Sequence, residues 1–400
     1  MGVIGRAREA LQAYRLERRA ARLQDPVAKL RCLRRAQAVS ADPTGRPAPE
    51  AILARVAAAV LLVPSPTASD AWFAATVETP REASSRPPEV WLVEERDGVE
   101  YFSNGLRIDN RGAVVGRPRR YPVYDAETLE LREWRSVPAG IVYHTTESHI
   151  APFRPEQNPR LMLAGRWMLD YVRRNHSYHF VVDRFGRVHR TVAEEHAANH
   201  AGASIWASGG ELFVNLNAGF LGIAFETETR EPARGAELTP AQKLAGRLLT
   251  EMLRARYRIV EANCVTHAQV SVAPAAMLVG NHLDWSANFP FAELGLADNY
   301  GQPIAAVAIF GFRFDREFQR ATRSALGRGL AAGEELFRRR ADSLGRSEPQ
   351  HRAAVARRYR EIVQALRNEA RGKEDNSSWA PPRQTSARPS DSTSAPAGLS

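Results

Sequence analysis

Short apolar runs separated by amphipathic stretches set the pattern of the central part of this chain. Residues 141–143 (I-V-Y) form one such run. It predicts a strand that ends on His144. Residues 158–175 space their apolar side chains at helical intervals. That spacing predicts an amphipathic helix with Leu161, Leu163, Trp167, Met168, Tyr171 and Val172 turned inward. Residues 177–190 predict a strand, a turn at 184–186 and a second strand, and 194–204 a loop. Residues 220–226 (F-L-G-I-A-F-E) are apolar enough for a central strand. Thr239 followed by Pro240 marks a helix start, and residues 262–267 predict the next strand. Strands alternate with helices. The expected fold is therefore α/β, a mixed central β-sheet flanked by helices, with helical N- and C-terminal extensions.

The flanks read differently. Residues 1–50 form a basic helical leader, closed by proline and glycine from residue 39. Within 51–70 an apolar run of only eight residues, 56–63, follows Arg55 and precedes small residues. That is the layout of a signal or anchor segment, and it is too short to span a bilayer, which takes ~20 residues. A buried helix of an N-terminal unit is the other reading. Residues 71–136 are a linker and a small β-rich segment, with a hairpin expected around Asp97–Gly98. The main domain covers 137–296. A charged helical extension follows over 297–371, opening on a further strand at 304–314 and then a helical hairpin broken at 344–349. Residues 372–400 are Ser-, Pro- and Ala-rich and read as a disordered tail.

Composition narrows the function classes only a little. Of 400 residues, 44% are apolar, enough for a sizeable core, and the net charge is +10. The excess is almost all arginine and sits at the two ends of the chain. This argues against a basic active-site groove, and no nucleic-acid recognition motif accompanies it. Two cysteines, Cys32 and Cys264, support neither a disulfide framework nor a cysteine zinc site. Cys264 reads as a small buried strand residue, with a thiolate ligand as the lesser reading.

Candidate chemistry gathers late in the chain. His267 ends a strand, and His282 and Asp284 follow in a loop. With His144 at the end of an upstream strand, these residues can supply a metal with three ligands and leave a position open. The series I-V-Y-H-T-T, S-Y-H-F-V-V-D-R-F-G-R-V, N-H-A-G-A-S, L-G-I-A-F-E and V-T-H…H-L-D-W-S-A-N-F-P-F resembles, in order, the zinc-dependent N-acetylmuramoyl-L-alanine amidases. That group includes phage amidase-type lysozymes and peptidoglycan recognition proteins. The resemblance covers roughly 137–296.

The resemblance implies a Zn2+ cofactor held by His144, His267 and Asp284. His282 competes for the third place, because 17 positions separate His267 from Asp284 and no proline–glycine follows the aspartate. It implies that His282, two residues before Asp284, stabilises the oxyanion as an imidazolium where many members carry a lysine. Tyr178 matches a tyrosine that some members place beside the zinc water. Other members use a glutamate base at the position of Ala224, and Glu226, two residues on along the strand, is the candidate substitute. Asn199 and His200 are implied to line the substrate groove.

The implied reaction is hydrolysis of the amide between N-acetylmuramic acid and L-alanine in peptidoglycan. A non-catalytic peptidoglycan-binding module is the alternative. The implied location is the cell envelope, periplasmic or secreted, or anchored to the membrane through the N-terminal segment. Peptidoglycan is the expected partner and nucleic acid is not. Oligomeric state is not readable.

Overall fold

The computed structural model describes residues 89–376, apart from 149, 230–235, 316–317, 320–321 and 323–324. The expected leader, the signal or anchor segment, the linker up to 88 and the tail from 377 lie outside the described residues.

The strands and helices used below are β1 (Leu92–Arg96), β2 (Val99–Phe102), β3 (Arg107–Asp109), β4 (Tyr121–Asp125), β5 (Leu131–Arg135), β6 (Gly140–Thr145), α1 (Asn158–Arg174), β7 (Phe180–Val182), β8 (Val188–Arg190), β9 (Ile205–Ser208), β10 (Glu211–Val214), β11 (Phe220–Phe225), α2 (Pro240–Tyr257), β12 (Cys264–Thr266), α3 (His267–Val270), β13 (Val272–Ala273), β14 (Leu278–Val279), α4 (Ala305–Phe310), α5 (Leu326–Ser343) and α6 (Glu348–Asn376).

Eight strands make the central sheet in the order β1-β2-β3-β8-β7-β11-β6-β12. It is mixed. The run β7-β11-β6-β12 is parallel, while β8 lies antiparallel to β7 and the β1–β3 meander is antiparallel. Every residue of β6 and β11 is buried, as continuous apolar runs covered on both faces require. On one face α2 packs Leu249, Met252 and Leu253 into the cluster of Ile141, Tyr143 and Ile223. On the other, Val142 and Val265 meet Tyr121, Trp206 and Phe213 of a second, four-stranded sheet, β9-β10-β4-β5. Residues 89–135 are thus no separate module. Their strands extend the central sheet through β3–β8 pairing and complete the second sheet.

Helix α2 starts where the sequence marks it. Thr239 accepts from Gln242 N, the Gln242 side chain returns the bond to Thr239 N, and Pro240 opens the first turn.

Two expectations need correction. Helix α1 buries only Leu161, Met168 and Val172, and the last two pack with Val181 and Ala224 of the sheet. Leu163, Trp167 and Tyr171 form a second stripe, four residues apart, on a side of the helix that faces away; they are 44%, 69% and 60% exposed. Residues 304–314 are not a strand. Ala305–Phe310 is a buried helix, ended by Gly311 at φ +65°. A short apolar run fits either state, and here α5 and α6 bury it; Phe310 and Phe312 pack on Tyr359. Among the described residues no helix is long and apolar enough to cross a membrane.

Candidate metal centre

Because β6 and β12 are parallel neighbours, with Thr266 opposite Tyr143, their carboxyl ends lie side by side. His144 sits near the end of the first strand and His267 directly after the second. Parallel strand ends gather side chains in this way. Gln269 Oε1 accepts from Thr266 N at 2.8 Å and turns the chain sharply into α3, so His267 occupies the first helical position. The chain then leaves through α3 and the β13–β14 hairpin, closed by the pairs Val272–Val279 and Ala273–Leu278, and returns at Asp284. This hairpin absorbs the long separation from His267.

The return is tightly held. Asp284 O accepts from Ala268 N at 3.2 Å. Trp285 is fully buried with φ +58°, a costly backbone for a bulky residue. Its carbonyl accepts from the Tyr300 hydroxyl at 2.7 Å, and that hydroxyl accepts from Phe289 N at 3.1 Å. Phe289 in turn packs on Tyr143, ring centroids 4.6 Å apart.

Three buried groups converge as a result. His267 Nδ1 lies 2.9 and 3.1 Å from the two Asp284 oxygens, and His144 Nδ1 lies 3.3 Å from Oδ2. Among the described residues this is the group whose ligand atoms all fall within 4.8 Å of one another. Burial pushes the Asp284 carboxyl upward, but the facing His267 and His144 imidazoles outweigh it and hold the group well below the usual carboxylate range. Burial, helped by His267, depresses His144 to about 4. A neutral imidazole nitrogen and a carboxylate are the forms in which these side chains bind metal. Two imidazoles and one carboxylate fit zinc with a position to spare. His144, His267 and Asp284 are thus placed to hold a zinc ion.

These protonation states carry a stability signature. Burial also depresses His282 to about 4, with His267 adding to the effect. A histidine lowered from 6.5 to about 4 is neutral in the native state and charged in the unfolded chain between those values. The native state then binds fewer protons, so stability falls as pH drops through this window. The slope is up to about 1.4 kcal/mol per pH unit for each such histidine. The thermal midpoint of chelator-treated protein therefore falls steadily from pH 7 to pH 5. A midpoint that is flat or rises on acidification contradicts these assignments.

Tyr178 precedes β7 in a left-handed conformation, φ +58°, which carries its ring to 5.0 Å from that of His144. Its hydroxyl faces Thr145 O at 3.5 Å, and burial raises its pKa, so the phenol remains a donor. His282 stacks on His267 with ring centroids 4.4 Å apart and is not among the three converging groups. Its depressed pKa makes it a neutral N–H donor rather than the expected imidazolium.

Glu226 is not brought to this group, although it follows Ala224 by two. Its Oε2 accepts from Arg184 N at 3.1 Å, and its charged neighbours are Asp183, Arg184 and Arg187. Asn199 donates to Asn175 O at 3.0 Å and lines a cavity of about 250 Å³ shared with His176 and Asn217. The three converging residues do not line that cavity. His200 is in contact with the site, its Nδ1 3.1 Å from His144 Nε2. Cys264 is a buried strand residue whose thiol burial pushes up to about 12, which disfavours a thiolate.

One carboxylate escapes sequence reasoning. Glu147, in T-T-E-S-H, adopts φ +50° just past β6. The residue is exposed, yet its carboxylate is engaged: Oε1 accepts from Thr145 Oγ1 and Oε2 faces Thr229 N at 3.4 Å. Desolvation raises its pKa, and the Asp284 charge adds to the rise. Its position three residues after His144 was the available signal.

Residues 134–284 match the family model described as N-acetylmuramoyl-L-alanine amidase. No curated protein sequence matches the chain. Among solved structures, the N-acetylmuramoyl-L-alanine amidase LysC from Clostridium intestinale URNW is 24% identical, over 39% of this chain and 82% of its own, with a TM-score of 0.23. AmiD from E. coli, bound to anhydro-N-acetylmuramic acid-L-Ala-D-gamma-Glu-L-Lys, is 24% identical, over 38% of this chain and 58% of its own, with a TM-score of 0.27. AmpDh3 from Pseudomonas aeruginosa, bound to an anhydromuramic pentapeptide, is 20% identical, over 40% and 58%, with a TM-score of 0.27. At these TM-scores the likeness transfers no residue roles.

Proposed function

We propose, from the match of residues 134–284 to the N-acetylmuramoyl-L-alanine amidase family model, that this chain hydrolyses the muramoyl–L-alanine amide in peptidoglycan with its own residues in the roles below. The observation that carries the proposal is the convergence of His144, His267 and Asp284 inside that span. A complete ligand set also favours an enzyme over a binding module that has lost its chemistry.

Zinc held by His144, His267 and Asp284 would supply Lewis acidity toward the scissile carbonyl and would lower the pKa of a water to about 7. The Tyr178 hydroxyl and the neutral His282 N–H donate hydrogen bonds to the carbonyl oxygen as it gains charge. The Glu147 carboxylate accepts the proton released as water adds to the carbonyl carbon. It returns that proton to the amide nitrogen as the C–N bond breaks. The products are the lactyl carboxylate of the sugar and a stem peptide with a free L-alanine amine. Glu226 has no part in this scheme.

We further propose that the protein acts in the cell envelope, periplasmic or secreted, or held at the membrane through its N-terminal segment. The substrate supports this location, together with the short apolar run at 56–63 after Arg55.

Digestion of purified peptidoglycan by the zinc-loaded full chain, read by mass spectrometry, tests the reaction. Stem peptides beginning at L-alanine are expected. Zinc-bound protein that releases none of them overturns the proposed bond, and peptidoglycan binding without cleavage favours the non-catalytic module.

A further inference from the structure

We propose that His200 is a positioning residue for the metal centre: it fixes the tautomer and ring orientation of His144 through a histidine–histidine hydrogen bond anchored on a backbone carbonyl. The inference rests on the assignment of a metal to His144, His267 and Asp284. It replaces the expectation that His200 contacts substrate.

The Phe220 carbonyl oxygen can only accept a hydrogen bond. His200 Nε2 lies 3.2 Å from Phe220 O. A carbonyl oxygen accepts, so Nε2 carries the hydrogen. In a neutral imidazole Nδ1 is then the lone pair. That lone pair faces His144 Nε2 at 3.1 Å, so His144 donates from Nε2. The lone pair of His144 is left on Nδ1, the atom 3.3 Å from Asp284 Oδ2 and directed into the ligand group. The chain Phe220 carbonyl, His200, His144 thus selects the nitrogen that His144 presents. Metal-bound histidines need a partner of this kind on the far nitrogen, and a carboxylate or carbonyl commonly serves. Here an imidazole stands between the ligand and the carbonyl.

The seat for His200 is built from several elements. Gly222 of β11 lies beneath the ring: a Cβ there would stand 2.6 Å from His200 Cγ. His179 packs edge-on against the His200 ring, centroids 5.5 Å apart. His179 is itself fixed, with Nδ1 accepting from Gly222 N at 2.9 Å. The loop that delivers His200 is clamped by Asn217, whose Oδ1 accepts from the backbone nitrogens of His200, Ala201 and Gly202 at 2.9, 2.7 and 2.8 Å. The glycine in L-G-I-A-F-E and the histidine in N-H-A-G therefore serve one purpose, although they belong to different motifs.

The test uses the full chain, and its first readout is zinc affinity by chelator competition rather than turnover. His200→Ala weakens zinc binding by about 10- to 100-fold and alters the d–d spectrum of the cobalt-substituted protein. His200→Asn, whose Oδ1 can accept from His144 Nε2, recovers part of the affinity. A His200→Ala protein that binds zinc like wild type but has a raised KM overturns the proposal in favour of a substrate contact. If the variants do not fold, the long-range 1H–15N spectrum of zinc-loaded wild type decides. Protonation of His144 at Nε2 is expected, and protonation at Nδ1 overturns the assignment. Wild-type protein that binds no zinc sinks the metal centre itself, a result distinct from failure at His200.

Discussion

Replacing Asp284 by alanine removes stoichiometric zinc and lowers peptidoglycan amide hydrolysis at least about 10³-fold, more than the loss of a single stabilising hydrogen-bond donor typically costs. Metal content by atomic emission and release of L-alanine-terminated peptides measure the two effects. The reason is geometric. Asp284 is the one group that touches both histidines, at 2.9 and 3.1 Å from His267 and 3.3 Å from His144. It also carries the only negative charge of the set. Without it two imidazoles remain, a pair too weak to retain zinc against a chelator. The fold survives, because the turn after Asp284 is held through Trp285 and Tyr300 rather than through the carboxylate. His282→Ala is the matched comparison. His282 lies outside the converging group and stacks on His267, so this variant keeps its zinc and loses turnover. If instead His282→Ala empties the site and Asp284→Ala leaves it filled, the third ligand has been assigned to the wrong residue.

The contrast between these two positions shows what the chain makes legible. Order and residue type mark His144 and His267, because each closes an apolar run and adjacent parallel strand ends must meet. The third ligand is harder to read. The β13–β14 hairpin inserted before it has no apolar periodicity of its own, and it is pinned by contacts distant in sequence, such as Val279 N to Arg313 O at 2.9 Å. Tyr300, which stabilises the strained Trp285, lies beyond the stretch that resembles the family motifs and carries no spacing signal. The helix at Ala305–Phe310 is misread as a strand for a related reason. Six apolar residues contain no period that separates the two states, and burial by α5 and α6 decides. The outward stripe on α1 marks the same limit from the other side. Apolar spacing identifies a helix, but the width of the surface it covers depends on what lies beneath. Val181 and Ala224 offer only a narrow seat.

Glu147→Gln is expected to lower kcat by about 10²-fold or more while zinc content and KM stay near wild type. The substitution keeps the size and the hydrogen bond from Thr145 Oγ1 but removes the ability to take a proton. The other polar groups around the triad cannot do this work. The Tyr178 phenol is held protonated by burial. Asp284 is committed to the two histidines and held far below the neutral range. His282 is depressed to about 4, and Glu226 is bound to Arg184 N away from the group. Desolvation moves both Glu147 and Glu226 toward neutrality, the direction that makes a base effective, but only Glu147 also feels the Asp284 charge. The pH profile supplies the second readout. A base must be ionised to act, so wild-type kcat falls as pH drops through the raised pKa of Glu147. The glutamine variant has no such acid limb, and its residual rate is flat there. Glu147→Asp, with a shorter but titratable side chain, recovers part of the rate and restores the limb. A glutamine variant that keeps the wild-type rate and profile removes Glu147 from the chemistry and leaves proton transfer to solvent.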